Sequence, residues 1–451
     1  MKQISHYEKE KYLKICTILF IILMLFLIIT KFKKDTNVEL IEEQKKSELF
    51  SSISNNTFVN VSKFTIYGTH FNLEGTLDLI QISGIKVTNV DLIVKKLNGD
   101  EFILDSSFNF SDNTLSFSTT DKINQGLNLD ELSIDNFYVF VKVAYSNSDI
   151  KYYTLKNSSE YSNLTYYTIT KNNSNNKIDI TFEKYNDIPY LALKVSKATS
   201  LPQDVYDIAI DPGHGGLDSG ATKSGYKESE LVLTSALDLK NKLENLGLKV
   251  FISRDGSESQ TEDTENNMYE ENGRINILNT SHAKVLISLH INNNSYSKSS
   301  GGVEVYAPND CDLSFAKLLA KNIVDYSGSY YSKLSTFKKD DGVYVHNFTN
   351  ADILAFKNRA TKNGYEPYNI TTSTPYLYVI RETGGISTNA FVDGRNKNYG
   401  KNNYHNSNIG IESYIVELGY MKNQNDLENI VSNYGKYMDG IVETIKSAFK
   451  I

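Results

Sequence analysis

The period of the hydrophobic pattern changes once along this 451-residue chain, across the short linker from Ser196 to Asp204 that carries Pro202. A half-buried strand repeats every two residues and an amphipathic helix about every 3.6, so such a change separates two folded parts of different class. Upstream, from 58 to 198, short runs rich in β-branched and aromatic residues alternate with turn signals. In Phe137-Tyr138-Val139-Phe140-Val141-Lys142-Val143-Ala144-Tyr145 every odd position is apolar or aromatic, the pattern of a strand with one face on a core. Val90 to Lys95, then Leu97-Asn98-Gly99-Asp100, then Phe102-Ile103-Leu104 reads as a hairpin. The spacing of these strands predicts an all-β, sandwich-like domain, of which the immunoglobulin-like arrangement is one form. Downstream, strand and helix signals alternate. Asp207 to Ile210 reads as a short strand, and a stripe of Val232, Leu233, Ala236, Leu237, Leu239, Leu243 and Leu246 as a helix closed by Gly247. Leu248 to Ile252 and Val285 to Leu289 read as buried parallel strands. Residues 205–451 are therefore predicted to form an α/β domain, with a mixed, mostly parallel sheet flanked by helices.

At the amino end, every residue from Ile15 to Thr30 is uncharged, with Lys14 before the run and Lys31, Lys33 and Lys34 after it. As a helix the run spans about 24 Å at ~1.5 Å per residue. Snorkelling lysines close the gap to a ~30 Å hydrocarbon core. No small residues follow to mark a cleavage site, so residues 1–34 are predicted to be a tail and an uncleaved N-terminal transmembrane helix. Lysines flank the run on both sides, and their count alone does not orient it. Residues 35–57, charged and Ser/Asn-rich without periodicity, are predicted to be a stalk.

Composition narrows the chemistry. Lys plus Arg number 47 against 54 Asp plus Glu, a net charge of −7. No basic run offers a phosphate-neutralising footprint, which excludes nucleic acid as a partner. The two cysteines, Cys16 and Cys311, supply neither a disulfide framework nor a thiolate metal site, so any metal must use histidines and carboxylates. Candidates for both exist. Asp211-Pro212-Gly213-His214-Gly215-Gly216 directly follows the first α/β strand, and its glycines let the backbone turn so that the imidazole projects from a strand end. Glu228 opens the first helix, His290 ends the strand from Val285, and Glu417 ends the strand Tyr414-Ile415-Val416. Groups at the carboxyl ends of strands in an open α/β sheet converge on one crevice. Singly, such a histidine is more often structural and such a glutamate more often a partner of the helix dipole. Together, two histidines and a carboxylate with an open fourth position form the shell of a catalytic zinc, with the remaining carboxylate as base. His70, alone in the β-rich part, reads as a turn or surface residue.

Several further segments fall into one pattern with these. Asp218, Gly220 and Ala221 continue the opening segment, and Gly225-Tyr226-Lys227-Glu228 follows it. Phe251-Ile252-Ser253-Arg254, then Arg274 with Asn279, precede Ser288-Leu289-His290-Ile291-Asn292. Gly302-Val303-Glu304-Val305-Tyr306 and Val416-Glu417-Leu418-Gly419-Tyr420-Met421-Lys422-Asn423 complete the series. In order and spacing, residues 206–451 resemble the zinc-dependent N-acetylmuramoyl-L-alanine amidases of bacterial cell-wall hydrolysis, amidase type 3. The resemblance implies one catalytic zinc held by His214, Glu228 and His290, with Glu417 as general base; Glu230 is the neighbour that could be taken for Glu228. It also implies that Asn292 and Arg381 are substrate contacts, the latter at the end of a strand Tyr376–Arg381.

The reaction implied is hydrolysis of the amide joining N-acetylmuramic acid to L-alanine of the stem peptide. The alternatives are a zinc peptidase acting within that peptide and a catalytically silent wall-binding or regulatory protein. Expected partners are peptidoglycan, the cytoplasmic membrane through the amino-terminal helix, and a protein activator. Such an enzyme makes sense outside the cell, so the chain is expected to be single-pass in the cell membrane with residues 205–451 on the cell-wall side. Two departures from the family stand out. A long insertion at about 320–410, which includes His346 and His405 as surface residues, is expected to form a loop over the groove. Lys284 stands where the family usually has Asp and is expected to be harmless.

Overall fold

The computed structural model describes residues 57–451 apart from 80–84, 112, 120–121, 160–161, 258–272, 294–299, 363–369 and 384–408, and of the amino-terminal part residues 17, 20, 24, 31, 40–51 and 53. The expected anchor at 15–30 lies almost wholly outside the described residues. Among those described, no helix is long and apolar enough to cross a membrane.

The β-rich part is one continuous hydrogen-bonded sheet, where an immunoglobulin-like sandwich would have two separate ones. Val59–Tyr67 joins its halves, pairing antiparallel with His70–Asp78 and parallel with Ile150–Asn157. The sheet folds over on itself. Phe64 and Phe182 lie on strands that are not neighbours, yet their ring centroids are 5.2 Å apart inside a single core. The outer face is covered as well. Residues 40–51, expected to be part of a stalk, are helical. Phe50 buries its ring 5.0–6.3 Å from those of Tyr138, Phe140, Tyr185 and Tyr190. Lys46 Nζ lies 4.9 Å from the Tyr190 ring centroid and donates to Tyr190 Oη at 2.7 Å. An aromatic face of this size is stabilised by being covered, and so this short, charged segment folds onto it.

The carboxyl-terminal domain is built on seven strands: β1 (Ile208–Pro212), β2 (Val250–Ile252), β3 (Val285–Asn292), β4 (Glu304–Tyr306), β5 (Lys338–Asp340), β6 (Val343–Tyr344) and β7 (Glu412–Tyr420), in the order β2-β1-β3-β7-β4-β6-β5. The first four in that order are mutually parallel, whereas β4 runs antiparallel to β7. On one face, α1 (Glu228–Asn245), α3 (Ser314–Ser327) and α6 (Gln424–Phe449) bury a common core. On the other lie α2 (Arg274–Thr280) and α5 (Tyr378–Thr383), with α4 (Asn350–Lys362) between α3 and α5 in sequence. The described part of the expected insertion is therefore not a loop. It supplies most of α3, two edge strands and two helices; Asn396 to His405 lie outside the described residues. His346 is half-buried, stacked between Phe337 and Tyr376 at 3.8 and 4.4 Å.

The two domains meet at the amino ends of the parallel strands. Ile66 and Tyr67 pair in parallel with Ile409 and Gly410 just before β7. Gly68, at φ +58°, brings the backbone so close that a Cβ there would sit 3.0–3.3 Å from Glu412 and the Lys284 carbonyl. Two buried polar knots flank this seam. In one, Glu412 accepts from Asn124 Nδ2 at 3.0 Å and from the Tyr414 hydroxyl, with Tyr67 and Cys311 alongside. In the other, Asp130 accepts from Tyr166 Oη at 2.7 Å and Asp207 accepts from the Thr170 amide at 3.0 Å. Lys284, buried between them, donates to the Tyr206 carbonyl at 3.2 Å with its ammonium 5.6 Å from the Tyr166 ring centroid. His70, at the start of its strand, lines the seam cavity, and burial pulls its imidazole down to about 4.

Two expectations follow. Lys284→Asp places a third carboxylate beside Asp130 and Asp207 without solvent to relieve it, and should lower the unfolding free energy of the full chain by about 3 kcal/mol or more in denaturant titrations. Burial holds the Glu412 carboxyl above its ordinary value of 4.5. Its contribution to stability is therefore intact below that pH and lost as pH rises through the raised value. Glu412→Gln cannot ionise, and its Tm should climb relative to the parent protein as pH rises above about 4.5.

Candidate active site

The turn after β1, the carboxyl-terminal halves of β3 and β7 and the first turn of α1 gather the functional side chains. Between β1 and α1 the chain turns through His214 at φ +62°, a conformation that costs a non-glycine residue of order 1–3 kcal/mol and persists only where its surroundings impose it. Two arginines impose it. Arg274, buried, pairs through Nε with Asp211 at 3.3 Å and donates through Nη2 to the His214 carbonyl. Arg254 donates to the carbonyls of Pro212, Gly213 and Ser229 at 2.9, 2.8 and 2.7 Å. Asp211 also accepts from Ser253 and Ser288 hydroxyls at 2.6 and 2.8 Å. Burial opposes its charge, but Arg274 and the two hydroxyls outweigh burial and hold its carboxyl below the ordinary range.

Thus presented, His214 accepts a partner on each ring nitrogen. Nδ1 meets Asp218 at 2.6 Å, which fixes the ring, and Nε2 lies 3.0 Å from Glu228 Oε1. The same oxygen is 3.3 Å from His290 Nδ1. Glu228 is itself held by the Ile291 and Ala221 amides, both at 2.9 Å. Burial opposes its charge, yet the two histidines keep its carboxyl well below the ordinary carboxylate value. One ligand atom from each of His214, Glu228 and His290 falls within 4.8 Å of the others. The packing leaves no slack: a Cβ on Gly213 would sit 2.3–2.6 Å from atoms of the His290 ring.

Glu417 pairs in register with His290 on one side and with Glu304 on the other. Its Oε2 is buried and, among the described residues, has no hydrogen-bond partner. Burial raises its carboxyl well above the ordinary value, and Glu228 and Glu304 push in the same direction. Buried polar atoms are nearly always satisfied. An orphaned carboxylate oxygen beside two imidazoles and a carboxylate is what a cation and its water would complete. Two histidines, one carboxylate and an open position are the donor set of catalytic zinc sites, so the residues fit a metal.

The family model described as N-acetylmuramoyl-L-alanine amidase matches residues 208–447, just over half of the chain. The chain belongs to that family. Family relatives include N-acetylmuramoyl-L-alanine amidase LytC of Bacillus subtilis, 33% identical over 135 residues, which cover 30% of this chain and 25% of that protein. Another is CwlM of Bacillus licheniformis, 38% identical over 89 residues, 19% of this chain and 31% of that protein. The matched stretches thus span only about a quarter to a third of these relatives. Among solved structures, the amidase AmiC2 of Nostoc punctiforme aligns over 55% of this chain and 98% of its own, at 21% identity and a TM-score of 0.34.

Of the residues expected from the sequence, the described structure brings His214, Glu228, His290 and Glu417 together. Glu230 points elsewhere, exposed and paired with Lys227 at 2.8 Å. The strands run further than their apolar runs suggested, so that His290 and Glu417 lie inside β3 and β7 and not at their ends. The two expected substrate contacts are placed differently. Arg381 lies on the helix α5 where a strand was expected, buried, with Nε on Glu382 at 3.0 Å and Nη1 on the carbonyls of Pro375 and Tyr376. Val379 and Ile380 pack into the core below, which a helix allows for adjacent residues and a strand with one buried face does not. Asn292 directs its amide to Glu304 Oε2 at 2.9 Å. Sequence reasoning passed over Glu304 itself. The only signal was its position as a charged residue inside an apolar strand.

Titrating the metal-free full chain with a divalent transition metal should reveal one tight site. His290→Ala should abolish it, whereas Asp218→Asn, which frees the His214 ring without removing a ligand, should weaken it by about 10- to 100-fold.

Proposed function

We propose that this chain is a membrane-anchored peptidoglycan hydrolase that uses a zinc-activated water to cleave the amide between N-acetylmuramic acid and the L-alanine of the stem peptide. The observation that carries the reading is the pairing of Glu417, its Oε2 buried and unpartnered among the described residues, with a His-Glu-His donor set one strand away. Membership of the amidase family over residues 208–447 supports it. His214, Glu228 and His290 would hold the metal. Bound there, zinc would lower the pKa of a water toward ~7 and polarise the scissile carbonyl.

The remaining work falls to the chain. Asp218 keeps the His214 ring in one orientation, and the Ala221 and Ile291 amides do the same for Glu228. The Glu417 carboxylate takes the proton of the attacking water at Oε2 and returns it to the departing alanine nitrogen. Cleavage leaves a lactyl carboxylate on the sugar and a free amino end on the peptide. Burial, with Glu228 and Glu304 nearby, raises the Glu417 carboxyl above its ordinary value. The uncharged run at 15–30 anchors the chain, with residues 205–451 on the cell-wall side.

The test is to incubate the purified, zinc-loaded protein with peptidoglycan and to label new amino ends. New amino-terminal L-alanine is expected. Amino ends of other stem-peptide residues would favour a peptidase instead. Glu417→Gln should keep one bound zinc while losing activity by about 10²-fold or more; activity within a few-fold of the parent protein would remove Glu417 from the role of base.

A further inference from the structure

Glu304 breaks a rule of sheet design that the rest of β4 obeys. Val303 and Val305 bury into the core on one face, and between them Glu304 is fully buried on the other. It lies in register directly opposite Glu417 across the antiparallel pair of β4 and β7. Residues so paired hold their Cβ atoms about 4.5–5.5 Å apart, and like charges there are destabilising. A sequence consistent with its fold breaks such a rule mostly where function demands it.

Unlike its neighbour, Glu304 is fully satisfied. Its Oε2 accepts from Asn292 Nδ2 and Tyr306 Oη, both at 2.9 Å, and its Oε1 from Ser332 Oγ at 2.5 Å and from the Tyr420 hydroxyl. Four donors occupy the four lone-pair sites of a carboxylate, so Glu304 has no acceptor left for a proton, a metal or a substrate. Two of the four donors come from the strands that carry the site. Asn292 lies two residues beyond His290 on β3, and Tyr420 three residues beyond Glu417 on β7. A side chain on β4 therefore ties the carboxyl ends of both strands to one point.

We propose that Glu304 is a positioning residue for the hydrolytic reaction, setting the Glu417 carboxyl relative to His290 through the Asn292, Tyr306 and Tyr420 network. This rests on the hydrolase reading above. Misplacement of a reacting group by about 1 Å costs on the order of 10²-fold in rate, whereas ligation and substrate binding at other contacts are untouched. The signature is a loss confined to kcat.

The test measures kcat and KM on a soluble muramoyl-peptide, zinc per chain and Tm, for the full-length protein and three variants. Glu304→Ala should lower kcat by about 10²-fold, with KM within about threefold and one zinc still bound. Glu304→Gln, whose carbonyl can accept from Asn292 and Tyr306 while its amide donates to the rotatable Ser332 and Tyr420 hydroxyls, should recover kcat to within about tenfold of the parent protein. Tyr420→Phe, which removes one strand's tie, should lower kcat several-fold without moving KM. A Glu304→Ala protein with kcat within about threefold of the parent, or one whose lost rate is matched by lost zinc or a raised KM, would overturn the proposal. Should Glu304→Ala fail to fold, the other two variants decide, and unchanged kcat in Tyr420→Phe overturns it. A zinc-loaded parent protein that releases no L-alanine ends defeats the hydrolase reading itself and this proposal with it.

Discussion

Two arginines, Arg274 buried and Arg254 half-buried, hold the loop on which the site depends. Arg274 on the His214 carbonyl and Arg254 on the carbonyls of Pro212 and Gly213 fix the backbone at and just before His214, which stands in the left-handed region. Each guanidinium presents several donors in a rigid fork, and so one side chain can gather carbonyls from different parts of a turn. Asp211 is the counterweight. It balances the Arg274 charge, takes hydroxyl hydrogen bonds from Ser253 just after β2 and from Ser288 in the middle of β3, and thereby fixes the loop to the sheet as well as to the arginine. Arg274 alone would be a costly buried charge; with Asp211 it becomes a fixed point.

The polarity of the sheet assigns the rest. Parallel strands send their carboxyl ends to one edge, where the site forms, and their amino ends to the other. At that other edge Asp207, Lys284 and Glu412 precede or open β1, β3 and β7, and there the β-rich domain docks. From Lys284 to His290 the strand covers about 20 Å at ~3.3 Å per residue. The β-rich domain therefore supports the site from below without closing over it. Lys284, which departs from the family's usual acid, does so at the seam, where an ammonium answers Asp130 from one domain and Asp207 from the other. Burial lowers its pKa against the pull of these two carboxylates, a cost accepted only where the geometry of the pairing is good.

How much of this was legible followed the range of the interactions. The β/α switch near residue 204 and the ligand candidates His214, Glu228, His290 and Glu417 rest on local pattern: a strand, then a glycine-rich turn or a helix start. Those were readable. The Glu228 and Glu230 ambiguity was settled by burial, which no spacing reveals. Helix 40–51 was missed because its amphipathicity is carried by Phe50 and the stem of Lys46, too few residues for a period, and its partner is an aromatic face a hundred residues away. Residues 376–381 alternate weakly enough to read as a strand, yet from Tyr378 onward they are helical, with Val379 and Ile380 in one core with Ile411 and Ile415. Lys284 and Glu304 looked like a neutral departure and a motif letter. Each draws its meaning from partners brought to it by β-strand register.

Three carboxylates, Glu228, Glu304 and Glu417, stand on adjacent elements at the floor of one crevice, and each solves the problem of its charge differently. Glu228 shares it with two imidazoles and two amides. Glu304 spreads it over four side-chain donors. Glu417 has no such help at Oε2, and burial pushes it toward the protonated form. Under the hydrolase reading proposed above, these differing environments suit three side chains of one kind to three tasks, those of a ligand, a fixed anchor and a group that exchanges its proton.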